Sequence, residues 1–225
     1  MNVIESFTQI FDKIKVSSFD DVWTVTESKE KASFKRINIK NKGNKFCAIS
    51  NETYGQWKLL FQSRSTFLKD LDCDGVACCS IKDEIYFILV ELKSTLSSSK
   101  ITSAVKQIVF TYLKLFMLFS LCEGFDSHIK LIGVIGCKPP KDEQQFSFLK
   151  ENLMLMTNGV ELQPDVKCLL KLYFNDVTTL KLGDISFLSN VNLNNTIRDK
   201  EISLYLKVGD KYEDEEALFD LQKDL

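Results

Sequence analysis

At 225 residues the chain is long enough to bury one sizeable core, and a single domain over 1–225 is the default reading. Its apolar share of 44% and charged share of 27% are those of a folded globular protein and argue against wholesale disorder. A formal net charge of −2 excludes a globally basic nucleic-acid binder, so any phosphate-binding surface has to be local.

In chain order, Val3, Phe7, Ile10, Phe11 and Ile14 recur at helical spacing and predict an amphipathic helix over 2–15 that does not read as a secretory signal. From Trp23 to Ser50 the pattern turns to short strands. Residues 34–39 alternate, and Asn41, Lys42, Gly43 and Asn44 form a turn candidate leading as a hairpin into 46–49. Residues 51–61 suit a helix capped by Ser50 or Asn51, with Tyr54, Trp57, Leu60 and Phe61 on one face and Gly55 against it. Two strands follow over 75–81 and 85–92, joined by the polar Lys82, Asp83 and Glu84. Ser99 is the predicted cap of a long helix over 101–122 that Gly124 ends. A strand over 128–137, apolar on both faces, stops at Lys138, Pro139, Pro140 and Lys141. Strand, strand, long helix, strand is an α/β order in which the helix crosses between two parallel strands. Beyond it the pattern predicts a helix over 146–156, strands over 166–174 and 202–208, and an acidic tail over 210–225.

The seven cysteines (Cys47, Cys73, Cys78, Cys79, Cys122, Cys137 and Cys168) are odd in number, and several fall within apolar patterns. They read as reduced thiols filling a core in a cytoplasmic protein. With no C-x-x-C pair and His128 as the one histidine, a zinc set is not expected. The most apolar window, 104–122, is interrupted by Lys106, Gln107 and Lys114, so no membrane span is expected.

The residues that carry chemistry lie between Asp74 and Gln107. In a strand side chains alternate, so Glu91 and Lys93 share one face and Leu92 takes the other. Their strand runs through the apolar stretch 86–90, where a carboxylate and an ammonium are costly unless paired or bound to something. An Asp opening the preceding strand, a Glu-x-Lys ending the next, and a Gln within the following helix resemble the PD-(D/E)XK nuclease superfamily. Its restriction-endonuclease-like fold is a mixed β-sheet core flanked by helices. The resemblance covers about 70–137, with 142–225 as a C-terminal extension; Cys73 stands where the family often has proline. It implies that Asp74, Glu91 and the Leu92 carbonyl hold Mg²⁺, for which Mn²⁺ could substitute. It implies too that Lys93 assists the chemistry and Gln107 supports Lys93 or the attacking water.

Plainer accounts exist for each residue. Glu91 and Lys93 could be an ion pair guarding a sheet edge. Asp74-Gly75 could be a turn, with Asp70 or Asp72 as the functional carboxylate. Gln107 could face solvent. Glu5 and Glu52 are both candidates for a further acidic residue. Lys29, Lys31, Lys35, Arg36, Lys40, Lys42 and Lys45, opposed within that stretch by Glu30, could track a phosphate backbone or form a solvated face. Lys100 and Lys106 lie near enough in sequence to the site to join them. The acidic tail would repel nucleic acid, and could bind a partner or cover the basic stretch. The expected function is a metal-dependent endonuclease acting on DNA in restriction, repair, recombination or defence, as a homodimer or with a partner protein. RNA is an alternative substrate, and a non-catalytic protein-interaction scaffold an alternative role.

Overall fold

Side-chain alternation along short strands decides which layer each residue joins, and here it sorts the chain onto two sheets. The computed structural model describes residues 15–17, 22–27, 32–42, 45–50, 53, 56, 72–120, 129–189 and 191–225. The first strands are β1 (Lys15–Ser17), β2 (Val22–Thr26), β3 (Arg36–Lys40) and β4 (Lys45–Ala48). Then come β5 (Gly75–Ile81), β6 (Glu84–Lys93), helix α1 (Ser98–Phe119) and β7 (Lys130–Cys137). The remainder runs α2 (Glu143–Thr157), α3 (Pro164–Asn175), β8 (Val177–Lys181), α4 (Asn195–Arg198), β9 (Glu201–Val208), β10 (Glu216–Asp220) and α5 (Leu221–Asp224).

The architecture is mixed α/β. A seven-stranded sheet has the order β1-β4-β5-β6-β7-β9-β8, and a three-stranded sheet the order β10-β3-β2. β5 and β6 are antiparallel, whereas β6 and β7 are parallel with α1 crossing between them. This is the order that the periodicity predicts. The hairpin turn is Lys82 and Asp83, both left-handed at φ 49° and 66°, and two such residues give a turn whose twist matches its strands.

One face of the large sheet, with Val76, Cys78, Phe87 and Leu89, packs on Ile101, Ile108 and Leu115 of α1 and Leu169 and Leu172 of α3. The other, with Ala77, Ile88, Val90 and Leu92, packs on Trp23, Val25, Ile37, Ile39 and Phe219 of the small sheet. Helices, large sheet and small sheet thus form three layers. Among the described residues α1 is the helix long and apolar enough to cross a membrane by length and composition. Most of its apolar residues line the core, and Met117 is exposed. Gly75 is required by close approach, because a Cβ there would lie 2.7 Å from Val25 Cγ2.

Several expectations need correction. Residues 166–174 belong to helix α3, not a strand. Val166, Leu169, Leu170 and Tyr173 follow helical spacing, and Pro164 sits at the first helical turn, where its missing N–H costs nothing. The runs flanking Asn41–Asn44 are not a hairpin: β3 pairs with β2 and β10, and β4 pairs with β1 and β5. Ile37 and Ile39 are buried in the small-sheet layer, while Cys47 faces the helices. The cap of α1 is Ser97, which accepts the Lys100 N–H at 3.4 Å, rather than Ser99, which lies inside the helix. Strands β8 and β10 have no counterpart in the sequence reading. The predictions for 2–14, Gly124, His128, Glu5 and Glu52 lie outside the described residues, and Lys15 opens β1. Of 51–61 only Thr53 and Gln56 are described; both are helical, and Ser50 Oγ accepts the Thr53 N–H at 3.2 Å. The helix over 146–156 and the strand over 202–208 are present as α2 and β9.

The turn yields a first prediction. Replacing Lys82 and Asp83 by Asn and Gly, which adopt left-handed backbone more readily, should stabilise the fold by about 1 kcal/mol. A urea midpoint that does not rise would contradict the left-handed turn.

Candidate active site

The pleat aims Glu91 and Lys93 at the α1 side of β6 and sends Leu92 into the layer shared with the small sheet. β6 lies between β5 and β7, so the sheet-edge account of the pair is incorrect. Glu91 is 2% exposed. Its Oε1 accepts a hydrogen bond from Lys93 Nζ in a mostly buried ion pair. Its Oε2 is buried with no hydrogen-bond partner among the described residues.

Lys93 Nζ also donates to Gln107 Oε1 at 2.6 Å, so Gln107 points into the site instead of solvent. Ser103 Oγ donates to the same oxygen at 3.3 Å. The other end of the carboxamide is engaged as well: Gln107 Nε2 donates to the Asp72 carbonyl at 2.9 Å. Asp74 is clamped to β6 twice. Its N–H donates to the Val90 carbonyl at 2.8 Å, and its Oδ2 accepts the Leu92 N–H at 2.8 Å. Asp72, the alternative carboxylate, pairs with Lys114 at 2.6 Å, and the Lys114 side chain is wholly buried. Asp70 lies outside the described residues.

Sequence reasoning assigned no role to Thr111 or Lys114, yet both hold the segment that leads to Asp74. Thr111 Oγ1 accepts the Cys73 N–H at 2.9 Å. The available signal was periodic. Ser103, Gln107, Thr111 and Lys114 step by four, four and three along the helix, which places them on one stripe.

Burial pushes the Glu91 carboxyl up to about 8; Asp74 raises it further, Glu27 adds to this, and Lys93 opposes it. The local excess is one of negative charge in a dry setting. Among the described residues no group of three or more His, Cys, Asp and Glu could hold a metal. Burial also pushes the Cys79 and Cys137 thiols up to about 12, which makes them core residues rather than nucleophiles.

The candidate phosphate contacts are scattered. Lys35 pairs with Glu215 at 3.0 Å and Arg36 with Glu216 at 2.5 Å, because β10 runs alongside β3. Part of the acidic tail thus covers the basic strand. Lys40 ends β3, Lys42 follows it exposed, and the Lys45 side chain lies outside the described residues. Lys100 is exposed in the first turn of α1, and Lys106 stacks over the Phe187 ring at 5.5 Å. Beyond the ends of β6 and β7, Lys138 Nζ donates to the Tyr212 carbonyl at 2.8 Å and holds the loop after β9.

No family model matches the chain, and no curated protein or solved structure matches it either.

The raised Glu91 value has a sign that can be checked. Unfolded, the carboxyl titrates near 4.5; folded, near 8, so its contribution is fully present below 4.5 and lost as pH rises through 8. In EDTA, stability relative to Glu91→Gln should therefore fall by up to a few kcal/mol over that window. Parallel urea-midpoint curves for the two proteins from pH 5 to pH 8.5 (about the span of the window) would rule this out.

Proposed function

We propose that this chain is a metal-dependent nuclease of the PD-(D/E)XK type that hydrolyses phosphodiester bonds in DNA. The carrying observation is the buried Oε2 of Glu91, without a hydrogen-bond partner among the described residues, beside Asp74 and with Lys93 on the same face. Burial holds this carboxyl protonated until about pH 8, and a hard cation would offset the cost of ionising it. Mg²⁺ keeps several waters and needs only one or two carboxylates, so Asp74, Glu91 and the Leu92 carbonyl fit it, and Mn²⁺ as its substitute. When bound, such an ion would neutralise phosphate charge and make water a better nucleophile.

The protein's own groups take the remaining tasks. Lys93 presents its ammonium where a phosphoryl oxygen would gain charge, and Gln107 fixes that ammonium from the helix side. The clamp of Asp74 onto β6 holds the two carboxylates in register. The β5–β6 hairpin, crossover helix α1 and parallel β7 support the restriction-endonuclease-like reading. A homodimer would supply a second site for cutting both strands. A cytoplasmic role in restriction, repair, recombination or defence is consistent with this chemistry.

One observation favours the non-catalytic scaffold. The Glu215–Lys35 and Glu216–Arg36 pairs neutralise basic residues that a phosphate backbone would otherwise meet. RNA stays open as a substrate because the metal chemistry is indifferent to the sugar. Incubating duplex DNA, single-stranded DNA and RNA with Mg²⁺, Mn²⁺ or EDTA separates these readings. The expected result is metal-dependent cleavage of DNA that falls at least about 100-fold in Lys93→Ala. Cleavage of RNA alone would reassign the substrate. No cleavage of any substrate, or cleavage that the variant retains, would leave the scaffold.

A further inference from the structure

We propose that the buried Asp72–Lys114 ion pair is the positioning device of this site, setting Asp74 and, through Gln107, Lys93. This inference rests on the nuclease reading. Lys114 lies deep in the core helix with its side chain wholly buried, and its ammonium meets Asp72 Oδ1 at 2.6 Å. Buried pairs are poor sources of stability, since apolar residues of similar size often serve as well or better. What this pair supplies is a fixed location for the end of a loop.

Residues 72–74 precede β5 and have no strand ladder of their own. Asp72 and Cys73 are instead tied to successive turns of α1. Gln107 holds the Asp72 carbonyl, Thr111 the Cys73 N–H, and Lys114 the Asp72 carboxylate. The next residue is Asp74, whose own bonds run to Val90 and Leu92 on β6. The segment therefore bridges helix and strand, with one carboxylate anchored on each.

Gln107 couples the two sides. Its carboxamide accepts from Lys93 at one end and donates to Asp72 at the other. Were the Asp72 backbone to drift, the carboxamide could not satisfy both, and the Lys93 ammonium would lose its fixed direction. Misplacement by about 1 Å at a reacting centre can cost about 100-fold in rate. Lys114 and Thr111 thus act through other residues and are positioning residues, not catalytic ones.

The test replaces the pair by apolar residues, Asp72→Leu with Lys114→Met, in the full chain. Three quantities are compared with wild type: the urea midpoint, Mn²⁺ affinity by titration calorimetry, and kcat and KM on the cleaved DNA. The expected outcome is a double variant that still folds, shown by a cooperative urea transition. Mn²⁺ affinity and kcat should each fall at least about tenfold, with KM little changed. A folded double variant that keeps both Mn²⁺ affinity and kcat would overturn the proposal. Should the double variant not fold, Thr111→Val carries the same test on the Cys73 tether. Its Mn²⁺ affinity and kcat are expected to drop several-fold, and unchanged values in the folded protein would overturn the proposal. A wild type that neither binds Mn²⁺ nor cleaves would remove the nuclease reading itself, and this inference with it.

Discussion

Glu91 stands on a central strand with 2% of its surface exposed, where a carboxylate is destabilising unless something answers its charge. Lys93 answers one oxygen and leaves the other without a hydrogen-bond partner among the described residues. The elements around it hold that carboxylate in place. The β5–β6 register places Gly75 opposite Val90, and so brings Asp74 alongside the end of β6. Small side chains in β5 and the glycine at its start let the small sheet press close behind the hairpin. The carboxylates are held by a frame packed on both sides, which is what a preorganised site requires.

Helix α1 does two kinds of work that usually conflict. Its Ile101, Ala104, Ile108 and Leu115 fill the largest core, while Gln107, Thr111 and Lys114 hold polar groups of the loop before β5. Every polar group on that stripe has a partner, and this condition makes a buried network rigid rather than destabilising. A helix that binds the sheet through apolar contacts and the loop through hydrogen bonds fixes the loop relative to the sheet. Stability and site geometry are thereby set by one element.

The parts that could be read from sequence are those whose structure is local and periodic. Strands β5, β6 and β7 and helix α1 are long, strongly patterned and in the predicted order. That pattern also put Glu91 and Lys93 on one face and offered Gln107 from the helix. The errors arose where local pattern admits two answers. The run from Val166 to Phe174 fits a buried strand or a helix, and Pro164 decides in favour of the helix. Asn41 to Asn44 do carry turn chemistry, but a turn does not say which sheet receives the next strand, and β4 joins a different layer from β3. The Asp72–Lys114 pair was not legible because it joins residues 42 positions apart through packing alone.

The acidic tail shows how charge pattern and topology combine. The charge pattern suggested that it could cover the basic stretch, and β10, adding to β3 in parallel with Phe219 buried in the layer beneath, brings acidic partners to Lys35 and Arg36 of it. The ion pairs it brings are about half exposed, and pairs of that kind contribute at most about 1 kcal/mol each. The strand is therefore held by its ladder and its apolar side chains, and the charges are free to rearrange without unfolding it. Lys35 and Arg36 can thus change partners at little cost to the fold, whereas the Glu91 carboxyl is buried and Asp74 is clamped to β6 through Val90 and Leu92. The same chain holds charge in two regimes, adaptable on the small sheet and fixed at the end of β6, and the fixed one has the rigidity that the proposed chemistry would require.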